Sequence, residues 1–315
     1  MSAIVYAAGR FGPSESAAVS VFDHGLLYGD GIFEGIRAYN GRVFKLERHV
    51  ERLFDSAKAI RLDIPMSRDE MAELVLEACR RNEIVDGYIR LVVTRGAGDL
   101  GIDPRSCPRA DVIIIAKPVE ALYGHARRRG ATLVTSTFRR HAPDVLSPSI
   151  KSLNYLNNIL ARIEANDRGA DEALMLDQNG FVSEATVDNI FIVVDRTLMT
   201  PPTATNLKGI TRETVLDLAA DLGIRTEERP FTLFDVWTAR EAFMCGTMAE
   251  IVPVASVDGR TIGASAPVSE ELPGRSGPLG AMTSRIADAY DRAVRSSGTP
   301  IHRPAPAGVE KLLGV

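Results

Sequence analysis

The sequence predicts a mixed α/β protein of the α+β type, built as two domains joined by a linker. Three observations carry this. The chain has 315 residues, 45% of them hydrophobic and 25% charged, which is enough for about two domains of ordinary size. Its first 117 residues read as strands interrupted by two consecutive helices, not as a regular βαβ alternation. Apolar periodicity then lapses over 118–130 and resumes as a second run of strands and helices over 131–297, leaving a Pro-containing tail at 298–315.

In order, segments 3–7, 17–22, 31–39 and 42–45 are apolar or alternating and read as strands, with Asn40-Gly41 as a hairpin turn. A helix over 46–61 puts Leu46, Val50, Leu53, Ala57 and Ile60 on one face. A second helix opens with the capping box Ser67-x-x-Glu70 and runs to about 82. Strands at 87–95 and 111–116 close the first domain. The second opens with a strand at 131–137, followed by a loop holding Pro143 and Pro148. A helix is expected over 152–168, with Leu153, Leu156, Leu160 and Ile163 facing inward. Strands follow at 171–176, 181–184 and 189–194, then a helix over 210–222 stopped by Gly223. Strands at 224–229, 241–245 and 250–256 and a helix over 279–296 complete the domain.

Composition narrows the function. A formal net charge of −4 argues against a dedicated nucleic-acid binder, which needs a basic face. Three cysteines with no CxxC fit a reducing compartment, not a disulfide framework or a zinc site. Five scattered histidines offer no HxxxH pair, so no metal is expected. The N-terminus lacks the apolar core of a signal peptide, and no run approaches the ~18 apolar residues of a membrane span. A cytoplasmic protein is expected. Lysine is scarce, with six against 31 arginines, which shortens the list of candidates for amine chemistry.

Some motifs mislead. Gly96-Ala97-Gly98-Asp99-Leu100-Gly101 matches GxGxxG, but the following IDPRSCPRA carries two prolines where a dinucleotide site needs a helix. His24 and His49 have no partner at ligand spacing and read as structural. Arg127-Arg128-Arg129 reads as a solvated charge run in the linker, without aromatics for base stacking.

Four segments place polar residues where a core would not ask for them. Lys151 stands at the mouth of a helix, with Tyr155 four residues on; a helix that already included Lys151 would put both on one side. Glu184 and Asn189 fall at the ends of two strands, where a buried carboxylate needs a partner. Gly209 allows close approach to a ligand, and Ile210 and Thr211 open a helix whose N-terminus suits a phosphate. Gly246-Thr247 between strands offers a hydroxyl and backbone amides. Each alone has a plain structural reading: a solvated lysine, a surface turn, a capping threonine. Together, a lysine, a tyrosine, a carboxylate and two phosphate-binding turns suit pyridoxal 5′-phosphate.

The strings FDHGLLYGDGIFEGIRAYNGRVFKLERHVERL, GYIRLVVTRGAGDLGIDPR, IKSLNYLN, SEATVDN, LKGITRE and CGTMAEIVPV resemble, in order and spacing, the class IV (fold type IV) pyridoxal-phosphate aminotransferases. They look most like the branched-chain amino acid group, over residues 3–295. The resemblance implies transamination of Leu, Ile and Val with 2-oxoglutarate by ping-pong turnover. It makes Lys151 the catalytic residue that carries the cofactor. Tyr155 would bond the ring oxygen and Glu184 the pyridine nitrogen. Leu207 would pack on the ring, while Arg52, Gly209, Ile210, Thr211 and Thr247 hold the phosphate. It implies a substrate pocket of Tyr28, Phe33, Tyr88, Arg90, Tyr123, Thr247 and Met248. Such proteins are at least homodimers. The same fold holds D-amino acid and amine transaminases and a 4-amino-4-deoxychorismate lyase, and YIRLVVTRG with GDLGIDPR favours the branched-chain group. A cofactor-free binding relative would have lost the lysine. Two departures stand near the cofactor: Ala185 where the family usually has glycine, and Cys245 where a small hydroxyl residue or glycine is common.

Overall fold

A computed structural model describes residues 3–119, 126–263 and 280–303, apart from the Arg128 side chain. The chain divides into two compact units. The first comprises the described residues of 1–120, 150–154 and 294–315, and the second those of 121–149 and 155–293. The segment 150–154 therefore clusters with the first unit, although it lies within the 131–297 stretch that the sequence groups together.

The first unit contains β1 (Ile4–Ala7), β2 (Arg10–Pro13), α1 (His24–Tyr28), β3 (Gly31–Tyr39), β4 (Arg42–Val43), α2 (Leu46–Ala59), α3 (Arg68–Arg81), β5 (Gly87–Thr94) and β6 (Asp111–Pro118). Its sheet has seven strands in the order Thr299–Pro300, β4, β3, β5, β6, β1, β2. All nine residues of β3 are buried, as expected of a central strand covered on both faces. Asn40 and Gly41 both take positive φ, 49° and 71°, the conformation a two-residue hairpin demands. Helix α2 buries Leu46, Val50, Leu53 and Ala57, the stripe its periodicity announces. Helix α3 starts at a complete Ser67–Glu70 capping box. These two helices and the sheet share one core, centred on Leu53, Leu74, Ile36 and Ile89.

One expectation fails here. Segment 17–22 forms no strand; its alternation finds no buried face, and Val19, Val21 and Phe22 are exposed. The strand that pairs with β1 is instead β2, reached through a turn at Ala8-Gly9 with φ of 49° and 77°. The glycine-rich stretch after it folds into α1, capped by the Asp23 carboxylate accepting from the Gly25 N–H.

The second unit contains α4 (Ala126–Arg129), β7 (Ala131–Thr135), α5 (Leu156–Asp167), β8 (Glu172–Leu176), β9 (Val182–Ala185), β10 (Asn189–Val194), β11 (Thr197–Thr200), α6 (Ile210–Asp221), β12 (Thr226–Glu228), α7 (Leu233–Thr238), β13 (Glu241–Gly246), β14 (Glu250–Val257), β15 (Arg260–Thr261) and all but the last three residues of α8 (Ala281–Ser296). Its main strand order is β12, β11, β10, β13, β14, β7, β8, β9, with β15 beside β14. Helix α6 ends with Gly223 at φ 67°, the left-handed stop its sequence implies. The arginine run is not merely solvated: Arg127 lies 2.6 Å from Glu250, and Arg129 lies 2.6 Å from Asp171.

Helix α5 departs most from expectation. It begins at Leu156, with Tyr155 at the N-cap position, so Lys151 is not helical. Its buried residues are Asn158, Ala161 and Ala165, while Leu156, Ile159 and Ile163 are exposed. Small residues win the inner face because the helix lies close over Ala173 and Met175 of β8. Ala161→Leu should therefore overpack this seam and cost about 1–3 kcal/mol, read as a lower urea midpoint with an unchanged m-value. An unchanged midpoint would show that the helix can stand further off.

Candidate active site

In the first unit the candidate residues gather around one strand. Successive side chains of β3 point to opposite faces, so Phe33 and Glu34 divide the labour. The Lys151 ammonium lies 4.5 Å from the Phe33 ring centroid, and the Arg90 guanidinium lies 4.6 Å from the same ring and 5.4 Å from that of Tyr88. The Lys151 main chain is pinned to this strand. Phe33 N–H donates to Lys151 C=O at 2.9 Å, Leu153 N–H donates to Gly31 C=O at 2.9 Å, and Ser152 bridges Ile32. The Lys151 N–H donates to the Ser56 hydroxyl at 3.3 Å. Gly35, opposite Arg90 in the register, leaves room for the Tyr88 phenol; a Cβ there would overlap its hydroxyl.

Glu34 faces α2. Its carboxylate accepts two hydrogen bonds from Arg52, Nε and Nη2 at 2.7 Å each, and lies 2.8 Å from His49 Nδ1. Burial alone would push the Glu34 carboxyl up. The Arg52 charge and the bonds from His49 and Arg52 outweigh that and hold it at about 2, against an ordinary 4.5. Burial, more than offsetting its bond to Glu34, lowers the His49 imidazole below its ordinary 6.5. Arg52 thus reaches the site as a guanidinium oriented by a fork-to-fork pair, and His49 has the structural role its sequence implies.

In the second unit the other candidates converge on the ends of β9, β10 and β13. Glu184 is buried; one carboxylate oxygen lies 2.8 Å from Arg140 Nε, and the other accepts from Leu207 N–H at 3.1 Å and Asn189 Nδ2 at 3.3 Å. Asn189 also donates to Leu207 C=O at 3.1 Å, tying the carboxylate to the loop before α6. Gly209 occupies the N-cap of α6 with no side-chain cap, and Ile210 and Thr211 form its buried first turn. A Cβ at Gly209 would overlap the Asn189 side chain, and one at Gly246 would overlap Asp188. Thr247 and Met248 lie in the turn between β13 and β14, and Cys245 sits opposite Asn189. Burial, reinforced by Asp188, pushes the Cys245 thiol up, so it is an inert filler.

Tyr28 ends α1 and donates to the Leu100 carbonyl, with its side chain partly exposed. Tyr123 lies outside the described residues. Residues 96–101 form a loop followed by the single 3-10 turn Pro104–Ser106 and then β6, not by the α-helix a dinucleotide site needs, and no cluster among the described residues could hold a metal ion. Sequence reasoning missed Glu34, Arg140 and Asn158. Each reads locally as an ordinary polar residue, and only the apolar neighbours of Glu34 hinted that its carboxylate is buried.

Comparisons with known proteins show which family and which solved structures the chain is similar to. The family model described as amino-transferase class IV matches residues 31–257. A Methanocaldococcus jannaschii protein assigned to the branched-chain-amino-acid aminotransferases is 54% identical over 259 residues, covering 82% of this chain and 89% of that one. The crystal structure of an Escherichia coli branched-chain amino acid aminotransferase superposes with a TM-score of 0.85 at 36% identity, over 93% of this chain and 94% of that one. The branched-chain amino acid aminotransferase of Thermobaculum terrenum, in its holo form with pyridoxal phosphate, gives a TM-score of 0.81 at 31% identity, over 93% of this chain and 94% of that one.

The Glu34 cluster makes stability depend on acid. Both its carboxyl and the His49 imidazole titrate lower in the folded chain than their ordinary values, so the unfolded chain binds more protons. The contribution of this cluster is fully present above pH 6.5, erodes first through His49, and then erodes through Glu34 as pH falls from 4.5 toward about 2. The Glu34 part is on the order of 3 kcal/mol. Urea midpoints measured across this range should fall with acid, and Glu34→Gln should flatten the part below pH 4.5. An equal slope in the variant would place the acid sensitivity elsewhere.

Proposed function

The chain belongs to the class IV aminotransferases, and we propose that it exchanges the amino group between branched-chain L-amino acids and 2-oxoglutarate on pyridoxal 5′-phosphate. The observation that carries this is the Phe33 ring, with the Lys151 amine 4.5 Å away and the Arg90 guanidinium 4.6 Å away. An amine for proton transfer, a cation for a carboxylate and an apolar surface for a hydrocarbon side chain share one patch.

The second unit fits the cofactor. Glu184 is a buried carboxylate suited to a protonated pyridine nitrogen. The start of α6, without a side-chain cap, and the Gly246-Thr247 turn suit a phosphate. When bound, the cofactor supplies an aldehyde that takes up the amino group and a ring that accepts the electron pair left at Cα. Lys151 is the amine that would hold the cofactor, and its Nζ is the base that would take the proton from the substrate Cα. Glu184 keeps the ring nitrogen protonated, Tyr155 donates to the ring oxygen, and Leu207 packs against the ring. Arg52, Gly209, Ile210, Thr211 and the Thr247 side chain hold the phosphate. Arg90 and Tyr88, with the Thr247 and Met248 amides, hold the substrate carboxylate, while Phe33 and Tyr28 line the side-chain pocket. Tyr123 is assigned to the same pocket.

We read the enzyme as a cytoplasmic homodimer or higher oligomer. In support, Val21, Leu26, Leu100 and Ile102 are exposed apolar residues of the first unit, 63–80% accessible. Cys79, Cys107 and Cys245 are unpaired thiols. Among the described residues no helix is long and apolar enough to cross a membrane.

The test is the visible spectrum of the purified protein. L-leucine should bleach a yellow cofactor band, and 2-oxoglutarate should restore it. A band answering only D-alanine would move the enzyme to the D-amino acid group. Lys151→Ala should abolish turnover with the fold intact. Arg90→Ala should raise the KM for leucine roughly 10- to 100-fold, the worth of a charged hydrogen bond. An amine donor lacking the carboxylate should be affected less; equal losses for both donors would move Arg90 out of the pocket.

A further inference from the structure

Arg140 belongs to none of the roles above, yet it is the cation nearest to Glu184 among the described contacts. Its side chain is 9% exposed and that of Glu184 is 6% exposed, with Nε 2.8 Å from the carboxylate oxygen. The Nε–H is not aimed as a hydrogen bond, so the contact is one of charge with charge. The rest of the arginine is fixed. Its Nη1 donates to Asn158 Oδ1 at 2.8 Å, and Asn158 Nδ2 donates to Thr186 C=O at 2.6 Å, in the turn that follows Glu184. Its own N–H donates to Leu176 C=O at 2.9 Å, and its C=O accepts from Gln178 at 2.9 Å. Helix α5, the end of β8 and the β9–β10 turn thus cooperate to hold one guanidinium beside one carboxylate.

We propose that Arg140 is a positioning residue for the reaction: it keeps Glu184 anionic and oriented, so that the proton shared with the cofactor ring stays on the ring nitrogen. The physical reason is direct. A buried carboxylate without a cation becomes more basic and takes a proton for itself. A ring that has surrendered its proton is a poorer electron sink, and the Cα proton then leaves more slowly. In this role the arginine acts on the ring only through Glu184. The inference rests on the reading of Glu184 as the partner of the ring nitrogen.

The experiment loads wild type, R140Q, R140K and E184Q with pyridoxal phosphate carrying ¹⁵N in the ring and records the nitrogen chemical shift beside kcat and KM. Wild type should show a protonated pyridine. R140Q should move the signal toward neutral pyridine and lower kcat about 10- to 100-fold, the usual worth of an outer partner of a functional group, with little change in KM for leucine. Because the contact is electrostatic, R140K should keep the wild-type signal and recover most of kcat. A wild-type signal and kcat in R140Q would overturn the proposal. E184Q separates the two readings. If it leaves the ring signal unmoved, the assignment of Glu184 has failed; if it moves the signal and R140Q does not, only the role of Arg140 has failed. Should R140Q not fold, R140K still decides, since a ring signal at the E184Q position would show that the retained charge does nothing.

Discussion

The cost of taking a carboxylate out of water organises this protein. An uncompensated buried carboxylate would simply protonate, so the two that stand among the candidate residues draw cations and donors to themselves from other elements. Glu34 draws His49 and Arg52 from α2 onto the back of β3. Glu184 draws Arg140 from the loop after β7, the Leu207 amide from the loop before α6, and Asn189 from β10. These clusters fix the backbone around the chemistry. In the first unit the same strand that carries Glu34 presents Phe33 on its other face, so packing on one side positions the patch of Phe33, Lys151 and Arg90 on the other.

Much of the frame was legible because it is local. The stripe of α2, the Ser67–Glu70 box, the Asn40-Gly41 turn and the Gly223 stop are decided by residues within one or two turns of each other, and each stands where its pattern puts it. Helix α5 was not legible from its apolar residues. Periodicity reports which residues share a face but not which face turns inward, and here the tight seam against β8 selects alanines. Segment 17–22 shows the same limit for strands, since alternation without a partner leaves only exposed side chains.

The chemistry was legible in a different way. Ordered motifs resembling a known family supplied the roles of Lys151, Tyr155 and Glu184; their local texture left them as solvated lysine, ordinary tyrosine or surface turn. The supporting shell was invisible to both approaches. Arg140 and Glu184 are far apart in sequence, as are Asn158 and Thr186, and only tertiary structure brings the first pair within 2.8 Å and the second within 2.6 Å. Side chains that act through another residue leave no spacing to read.

The way Lys151 is held has a consequence for how its amine can move. Its main chain is laced to β3 on both sides, through Phe33 and Leu153, while its amine extends over the Phe33 ring. The amine therefore moves only by rotation about its own side-chain bonds, from a fixed anchor. Such rotations take picoseconds to nanoseconds. The reach of the amine is then set by its side-chain torsions alone, and it samples that arc far faster than any rearrangement of the main chain could.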